Sequence, residues 1–373
     1  MNHVYRLVFN VALRVWQVAS ELVRSAGRMV SSTIGGAVTG TVPPLRFALW
    51  MAMGFVTTLP AFAQEAQGRI VAHPNAPANQ RPVVLGAGNG VPVINITTPS
   101  AGGVSRNTYG QFDVGSQGAI LNNARTGAET QLGGPIAGNP YLARGEARVI
   151  LNEVNGPASQ LNGYIEVAGK RADVIIANPA GITCAGCGFI NATQATLTTG
   201  TPVFSGGSLD HYRVEGGTVR FEGKGLDATQ VDYTQVIARA MEVNAEVWAQ
   251  QLHAQLGANT VSATDPSQAT RIDSATPAPQ FLLDVGALGG MFANKIWLVG
   301  NERGMGMRNA GTIGTRADDL VVTVDGRLEN SGTLQAKQNA KLSAGGGLAH
   351  AGLMTASREL VHNTAADVYN RKD

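Results

Sequence analysis

Two cysteines in the segment GITCAGCGF have a type and spacing that could support redox, metal or structural chemistry. Cys184 and Cys187 form a C-x-x-C motif. A redox role requires this motif at the N-terminus of a helix, which lowers the pKa of a thiol, but strand-like segments and glycines flank the pair. A zinc site requires further ligands, and the chain has no other cysteine. The third interpretation is a disulfide that closes a tight loop, and it depends on whether the chain is exported.

The remaining candidates for catalysis or ligand binding are scattered. The six histidines lack metal-ligand spacing; they are His3, His73, His211, His253, His350 and His362. The segments GGPIAG and GAGNG do not open a helix, and a phosphate site needs backbone amides at a helix N-terminus. Asp318 and Asp319 are adjacent, so in a strand they point to opposite faces, unlike the paired carboxylates of a polysaccharide-cleaving enzyme. We predict no catalytic residue, no metal, no cofactor and no enzyme.

The composition indicates a folded chain with an unusual amount of glycine. Of 373 residues, 47 are glycine, 14% are charged and 6% are aromatic, whereas an average soluble protein has about 7% glycine and 25% charged residues. A hydrophobic content of 44% is enough to form a core, which excludes a wholly disordered chain. Residues 64–373 carry 23 basic and 25 acidic residues, a net charge of −2. A nucleic-acid partner is excluded because binding to phosphates requires a basic surface.

An export signal occupies the segment LRFALWMAMGFVTTLPAFA, which ends at residue 63. An arginine precedes an apolar run of about 15 residues, shorter than the roughly 20 that a membrane-spanning helix needs. Pro60 and the small residues Ala61 and Ala63 complete the order of a secretory signal peptide. We predict cleavage after Ala63 in preference to a transmembrane anchor. An exported chain favours the disulfide between Cys184 and Cys187.

A further segment, MNHVYRLVFNVALRVWQVASELVRSAGR, precedes this signal. Its valines and leucines recur at helical spacing with Arg6, Arg14 and Arg24 between them. The pattern predicts a basic amphipathic helix that suits an anionic membrane surface, although a merely long basic n-region is the alternative. The segment resembles the extended signal-peptide region of very large two-partner-secreted proteins and some autotransporters of Gram-negative bacteria. This resemblance implies that residues 1–63 form an extended signal peptide for export by the Sec machinery.

Short β-branched segments separated by glycine, asparagine and proline indicate an all-β protein between residue 64 and about residue 310. They include VPVINI, ARVILNEV, GYIEVAG, ADVIIANP, ATLTTG and TVRFEG. Residues 236–256 are the one candidate helix, but polar and apolar residues alternate there up to Val247, a period that suits a strand. We predict a strand up to Val247 followed by a short irregular segment, and a loop or linker at residues 258–280.

Toward the C-terminus the chain contains a repeat. Ile313, Leu334 and Met354 each follow a glycine by two positions, and Asn309 and Asn330 precede the first two glycines in step. Steps of 21 and 20 residues predict a solenoid, because each coil exposes an apolar face and open strand edges that only a neighbouring coil covers. A transmembrane barrel is the rival, but its aromatic girdles and long alternating strands are not evident.

Three blocks between residues 90 and 204 resemble the N-terminal secretion domain of filamentous-haemagglutinin-like proteins. They read GVPVINITTPSAGGVSRNTYGQFDVGSQGAILNN, GNPYLARGEARVILNEV and GYIEVAGKRADVIIANPAGITCAGCGFINATQATLTTGTPVF. The resemblance implies a right-handed parallel β-helix with a cap at its N-terminal end. On this basis residues 64–310 form the two-partner secretion (haemagglutination activity) domain. Residues 311–373 then begin a series of β-helical repeats.

The same resemblance implies partners and a location. In this family the secretion domain is recognised in the periplasm by the POTRA domains of a dedicated outer-membrane transporter of the Omp85 superfamily. We therefore expect export by Sec to the periplasm of a Gram-negative bacterium, followed by secretion or display at the outer-membrane surface. A receptor on a host cell or another bacterium is a further expected partner.

Two Asn-Pro motifs correspond to motifs of that family. The first, usually N-P-N-L, reads Asn139, Pro140, Tyr141 and Leu142; the second, usually N-P-N-G-I, reads Asn178, Pro179, Ala180, Gly181 and Ile182. The third position differs in both, which puts in doubt any role for a side-chain amide there. Because proline fixes φ and asparagine bonds to neighbouring backbone, both motifs predict tight turns. Direct contact with the transporter and formation of a β-helix corner explain the motifs equally well.

The favoured function is a secretion-targeting module of an adhesin or haemagglutinin, a virulence factor that folds into a rigid β-helix outside the cell. The alternative is the truncated amino-terminal stalk of a contact-dependent growth inhibition toxin, since such stalks share this region. A polysaccharide-acting β-helix enzyme and a periplasmic thiol oxidoreductase are less favoured. Because the chain stops after about three repeats, we expect a truncated gene, a fragment or a short secreted form.

Overall fold

The computed structural model describes residues 5–10, 15–20, 68–366 and 368–370. The chain divides into one unit at residues 1–62 and a second at residues 63–373. The described residues contain β-strands and two short 3₁₀ helices, Ala78–Gln80 and Pro140–Leu142. None of their helices is long and apolar enough to cross a membrane. The signal-cleavage residues Ala61 and Ala63 lie outside the described part of the chain.

In the first unit, β1 (Tyr5–Asn10) and β2 (Val15–Ser20) form an antiparallel pair. The amphipathic helix predicted for this segment is therefore wrong within these two strands. Valine, tyrosine, phenylalanine and tryptophan favour extended backbone. In these two strands that preference outweighs the helical spacing of the apolar residues.

The second unit consists of short strands, as predicted. Strands β3 to β16 are, in chain order, Ile70–Ala72, Val83–Gly86, Pro92–Asn95, Val104–Phe112, Ala119–Asn123, Ala128–Thr130, Gly134–Ile136, Val149–Val154, Ser159–Leu161, Tyr164–Gly169, Ala172–Ala177, Ile182–Cys184, Cys187–Ile190 and Ala192–Thr198. Strands β17 to β28 are Thr201–Ser205, Ser208–Val214, Thr218–Phe221, Leu226–Ala228, Tyr233–Ala238, Ala240–Val243, Glu246–Ala249, Gln251–Leu256, Asn259–Ser262, Ala269–Arg271, Leu283–Val285 and Gly290–Ala293. Strands β29 to β39 are Lys295–Gly300, Met307–Asn309, Thr312–Thr315, Leu320–Val324, Leu328–Asn330, Thr333–Ala336, Ala340–Ala344, Leu348–His350, Leu353–Ala356, Leu360–Thr364 and Val368–Asn370.

Three sheets form the faces of a β-helix. Face A has the order β3-β6-β10-β13-β16-β21-β24-β29-β32-β35-β38, face B the order β11-β14-β19-β22-β27-β30-β33-β36-β39, and face C the order β4-β5-β7-β12-β15-β20-β23-β28-β31-β34-β37. From β10 onward, each coil passes through faces A, B and C in turn and pairs in parallel with the next coil. The predicted all-β class and parallel β-helix are confirmed. The predicted right hand is the one that parallel crossover connections adopt in about 98% of cases.

Stacking brings equivalent side chains of successive coils together. On face A, Ile150 lies opposite Val174 and Ile296 lies opposite Leu320, and all four side chains are buried. The apolar residues of the repeat near the C-terminus also lie opposite one another in successive coils. Ile313 lies opposite Leu334, which lies opposite Met354, on face C. The 20-residue repeat is therefore one coil.

Glycines turn the corner between faces B and C, where coils approach closely. A Cβ added at Gly332 would lie 2.0 Å from the carbonyl oxygen of Gly311, and one added at Gly352 would lie 2.0 Å from that of Gly332. Any side chain at these positions would collide with the backbone of the previous coil. The glycines that marked the repeat are thus required by the distance between coils.

The segment at residues 236–256 contains no helix; it consists of strands separated by short breaks at Arg239, residues 244–245 and Gln250, where the chain turns from one face to the next. The strand predicted up to Val247 is thus three strands, β21 to β23, and β24 (Gln251–Leu256) follows β23 after a one-residue break. The prediction of an irregular segment after Val247 is wrong, because β24 pairs with β21 and β29 on both sides. Parallel pairing within a sheet stabilises a strand whose own sequence is ambiguous.

Antiparallel strands cover the N-terminal end. β3 pairs with β6, and β4 pairs with β5. Beneath them, the Tyr109 and Phe112 rings meet edge to face with centroids 4.9 Å apart, and the Tyr109 hydroxyl lies 3.0 Å from Oδ1 of Asn152. The predicted N-terminal cap is confirmed.

A second, four-stranded antiparallel sheet lies against the outside of face A. It consists of β17, β18, β25 and β26, which two insertions between face A and face B strands supply. Buried Tyr212, Val214 and Val261 pack in one cluster with Leu151 and Ile175 of face A. The loop predicted at residues 258–280 is therefore wrong in part, because β25 and β26 fall within it.

Arg239 ties the insertions to the β-helix. This residue is 4% exposed, and its guanidinium donates hydrogen bonds of 2.7 and 3.1 Å to the carboxylate of Glu302. It also donates to the carbonyl oxygens of Glu215, at 3.2 Å, and Thr276, at 2.9 Å. Burial would raise the pKa of Glu302, but hydrogen bonds from Arg239 and the Ala258 amide lower it below its usual range. The pair is thus ionised and almost fully removed from water.

Replacing Glu302 with glutamine should reduce the free energy of unfolding by about 3–5 kcal/mol, because it leaves the buried Arg239 charge uncompensated. The measurement is urea unfolding of the secreted chain. Glu215→Gln is the matched control, since the Glu215 carboxylate is exposed and pairs with exposed Arg213; a change of at most about 1 kcal/mol is expected there. Equal effects of the two substitutions would contradict this account.

His253 is a buried titratable group on the outside of face A. Its Nδ1 lies 3.1 Å from the Tyr233 hydroxyl. Burial lowers the pKa of His253 to about 4, and the nearby Asp265 carboxylate only partly opposes this. The folded chain therefore keeps this imidazole neutral at a pH where an exposed histidine takes up a proton.

Stability should fall as the pH is lowered from about 6.5 to about 4, because over this interval the unfolded chain binds a proton at His253 that the folded chain does not. The contribution of this one group is at most about 1.4 kcal/mol per pH unit. Urea midpoints measured across this interval should show a shallower slope for His253→Gln, and no change for the exposed control His362→Gln. An unchanged slope in His253→Gln would exclude this residue as the cause.

Candidate functional site

The first Asn-Pro motif forms a turn before the chain enters face A. Asn139 is 2% exposed, and its Nδ2 donates 2.9 Å hydrogen bonds to the carbonyl oxygens of Ile96 and Asn122. Its Oδ1 accepts a hydrogen bond of 3.0 Å from the backbone amide of Tyr141. Leu142 is fully buried in the core. The buried Asn139 side chain therefore stabilises the corner through three hydrogen bonds to backbone.

The second motif forms the same kind of turn between β13 of face A and β14 of face B. Asn178 is fully buried, and its Nδ2 donates to the carbonyl oxygen of Pro157, at 2.8 Å, and to Oγ of Ser159, at 3.0 Å. Its Oδ1 accepts a hydrogen bond of 3.0 Å from the amide of Ala180. Gly181 has a φ of +118°, and Ile182 is buried between the neighbouring strands of face B.

Both turns use the third motif position only through its backbone. The amides of Tyr141 and Ala180 bond to the asparagine side chains, which is an Asx-turn. The side chains at these positions are exposed, as are Pro140 and Pro179. The departure from asparagine at the third position therefore leaves the turn geometry intact.

The two turns flank face A. The first precedes β10 and the second follows β13, and these two strands pair with each other. The motifs thus lie at opposite edges of face A, one coil apart. The structure does not bring them into a single cluster.

The predicted disulfide between Cys184 and Cys187 is present at the corner between β14 and β15. Both cysteines are buried, and the Sγ atom of Cys184 lies 3.0 Å from the carbonyl oxygen of Gly225. The amides of Gly186 and Cys187 donate to that same oxygen, at 3.0 and 3.1 Å. The disulfide thus lies between strands, where no helix N-terminus could activate a thiolate.

Further polar residues hold the segments on either side of the first motif, without a clear signal in the sequence. Asn123 donates to the carbonyl oxygen of Ala147, at 3.0 Å, and accepts from the amide of that residue, at 2.8 Å. The buried Glu166 carboxylate accepts 2.8 Å hydrogen bonds from the amides of Gln131 and Leu132, in the β8–β9 hairpin. A lone glutamate in a β-branched strand reads as a solvated residue, so only the three-dimensional arrangement identifies this role.

The carboxylates considered for catalysis are separate. Asp318 pairs with Lys295 at 3.4 Å, whereas Asp319 pairs with Lys341 at 3.7 Å and accepts hydrogen bonds from Asn339. Burial would raise the pKa of Asp319, but these contacts lower it below its usual range. Within the described ranges, no group of three histidine, cysteine, aspartate or glutamate side chains could hold a metal ion.

Comparison with known families gives two matches. A family described as the TPS secretion domain matches residues 68–330, and one described as the extended signal peptide of the type V secretion system matches residues 1–50. Both descriptions are of secreted proteins. They fit the β-helix and the segment that precedes it, respectively.

Individual relatives agree. The chain is 46% identical over 360 residues to a protein named Toxin CdiA from Yersinia pestis. The alignment covers 95% of this chain and 11% of that protein. It is 48% identical over 253 residues to the 16S rRNA endonuclease CdiA from Enterobacter cloacae subsp. cloacae, covering 66% of this chain and 8% of that protein. The chain spans about a tenth of the length of these relatives. A crystal structure of a filamentous hemagglutinin secretion domain superposes with a TM-score of 0.66 at 32% identity, covering 82% of this chain and 99% of that one.

Replacing Asn178 with alanine should reduce the free energy of unfolding by about 2–4 kcal/mol, because buried hydrogen-bonding groups at Pro157 and Ala180 lose their partner. Ala180→Asn, which restores the usual family residue at an exposed position, should change it by no more than about 0.5 kcal/mol. Thermal or urea unfolding of the secreted variants measures both. Equal stability of the two variants would show that the Asn178 side chain does not hold the corner.

Proposed function

This chain belongs to the TPS secretion domain family, and we propose that its β-helix presents the two Asn-Pro turns to the POTRA domains of its transporter. The described β-helix is the secretion domain of a haemagglutinin-like or CdiA-like exoprotein, and such a domain implies a cognate two-partner transporter. The proposal that the turns contact the POTRA domains is supported by the opposite directions in which the side chains of each turn point. The asparagines bond inward, while the prolines and the third residues face outward.

Tyr141 is the strongest candidate for direct contact. It is 42% exposed, and Oγ1 of Thr98 holds its carbonyl oxygen at 2.8 Å. Thr98 also lines a groove of about 430 Å³, in which the Arg106 guanidinium lies 4.5 Å above the Phe204 ring. Aromatic and arginine side chains beside a groove are typical anchors for a protein partner.

We infer the export route of the chain from its signal peptide and its β-helix. The extended signal peptide directs the chain to Sec, cleavage follows Ala63, and the chain crosses the outer membrane unfolded. Coils then form one after another outside the cell, because each finished coil offers open strand edges to the next. This addition of coils supplies a direction to transport without ATP.

The CdiA relatives favour the second candidate for the whole protein. Identity to Toxin CdiA is 46%, against 32% to the filamentous hemagglutinin secretion domain. We assign the chain to the amino-terminal region of a contact-dependent growth inhibition protein in preference to an adhesin. A toxin activity would belong to other parts of such a protein.

Secretion should separate the outward and inward roles of the first motif. In cells that express the chain with its transporter, we expect Tyr141→Ala to reduce release to the medium several-fold while the released protein unfolds within about 1 kcal/mol of the parent. Asn139→Ala should lower both release and stability, because it removes buried hydrogen bonds.

Two controls make this test specific. Leu288→Ala changes an 88% exposed apolar residue at a distant corner and should be released like the parent. Cells without the transporter should release none of the variants. Full release of Tyr141→Ala would limit the motif to corner formation, and release without the transporter would contradict the proposed function as a whole.

A further inference from the structure

A polar groove lies along the corner between faces C and A, several coils away from the first Asn-Pro motif. Its volume is about 640 Å³. Side chains from successive coils line it, namely Asp232, Gln250, Gln251, Asn294, Lys295 and Asp318. The family match assigns no role to this groove, and no residue of the two Asn-Pro turns lines it.

The amides in the groove are held in place by the protein. Nδ2 of Asn294 donates 2.7 Å to Oε1 of Gln250, and Nε2 of Gln250 donates 2.7 Å to the carbonyl oxygen of Thr229. We call this pair of hydrogen-bonded side chains, Asn294 and Gln250, the amide ladder. Each side-chain amide has two N–H donors and two acceptor lone pairs, so Asn294 and Gln250 both keep donors or acceptors that a ligand can use. Their orientation is fixed before any ligand arrives, which reduces the entropy cost of binding.

The charges in the groove are balanced. The Lys295 ammonium lies 3.4 Å from the Asp318 carboxylate, and the Arg171 guanidinium lies 3.4 Å from that of Asp232. A metal ion would meet a competing lysine, and a polyanion would meet two carboxylates. The groove therefore suits an uncharged ligand that both donates and accepts hydrogen bonds.

A peptide does not fit this description. Strands beside the groove are already paired on both sides, as β24 is with β21 and β29 and β28 is with β23 and β31. No strand edge is open there for β-addition, and the lining provides no apolar pocket for a side chain. A ligand that carries a row of hydroxyl groups matches the donors and acceptors of the groove.

Aromatic rings stand beside the polar lining. Trp297 lies under the Lys295 ammonium at 4.3 Å, and Trp248 lies under the Arg316 guanidinium at 5.6 Å and stacks on Phe292 at 4.5 Å. These contacts occupy ring faces of Trp297 and Trp248, so the amide side chains of the corner are the groups that bond to a ligand. Equivalent corner positions recur at the strand spacing of about 4.8 Å, close to the length of one pyranose ring, so the ladder matches a linear chain along the helix axis.

We propose that this corner groove binds a linear, uncharged oligosaccharide that lies along the β-helix axis, with its hydroxyls bonded to the amides of Gln250, Gln251 and Asn294.

The test is calorimetric titration of the secreted chain with cellohexaose, laminarihexaose, maltohexaose and a mannohexaose, and with polygalacturonate hexamer as the acidic probe. At least one neutral hexamer should bind saturably and at least about tenfold more tightly than its dimer, because a dimer spans only part of the ladder. Asn294→Ala and Gln251→Ala should each weaken binding about three- to tenfold, the effect of one lost hydrogen bond.

Two controls keep the result interpretable. Gln335→Ala changes an exposed amide on face C outside the groove and should bind like the parent. Gln251 is exposed, so its variant keeps the test valid even if Asn294→Ala lowers stability. Absence of binding to every neutral hexamer, tighter binding of the acidic hexamer, or binding that neither groove substitution weakens would each overturn the proposal.

Discussion

Parallel pairing between successive coils is the interaction on which the rest of this molecule depends. A single coil leaves its strand edges open and its apolar side chains half covered, and the next coil satisfies both. The described end of the β-helix shows this directly. On face A, one register position is buried at Leu320 and at Ala340 but is 43% exposed at Leu360, in the last face A strand.

Corners are where this arrangement constrains the sequence most. A strand position accepts many apolar residues, whereas a corner must bring backbone within contact distance of the previous coil or reverse direction in a few residues. Glycine meets the first demand, as at Gly332, and a buried asparagine followed by proline meets the second, as at Asn139 and Asn178. Since the Asx-turn takes only a backbone amide from the third residue, that residue is free to change. This freedom makes it available for contact with a partner.

Much of the fold could be predicted because it follows from local chemistry and from a period. β-branched segments between glycines gave the all-β class, and the spacing of Ile313, Leu334 and Met354 was the length of one coil. The extra sheet could not be predicted, because its strands belong to two insertions far apart in the sequence. The roles of Arg239 and Glu166 were hidden for the same reason: their partners lie 63 and about 35 residues away. The helix predicted near the N-terminus is wrong at Tyr5–Asn10 and Val15–Ser20, where periodicity and residue preference point in different directions.

The disulfide is compatible with secretion because of its small ring. Cys184 and Cys187 are three positions apart, so under the proposed route an oxidised chain would still pass a pore as a single strand with a small local loop. All the longer-range ties described above, including the Arg239–Glu302 pair, are non-covalent and form only when coils stack. A covalent bridge across one coil of 20 residues would instead present two strands to the pore at once. The long-range non-covalent ties that fix the fold and the short-range disulfide are thus separated by distance along the chain, as the proposed unfolded transport requires.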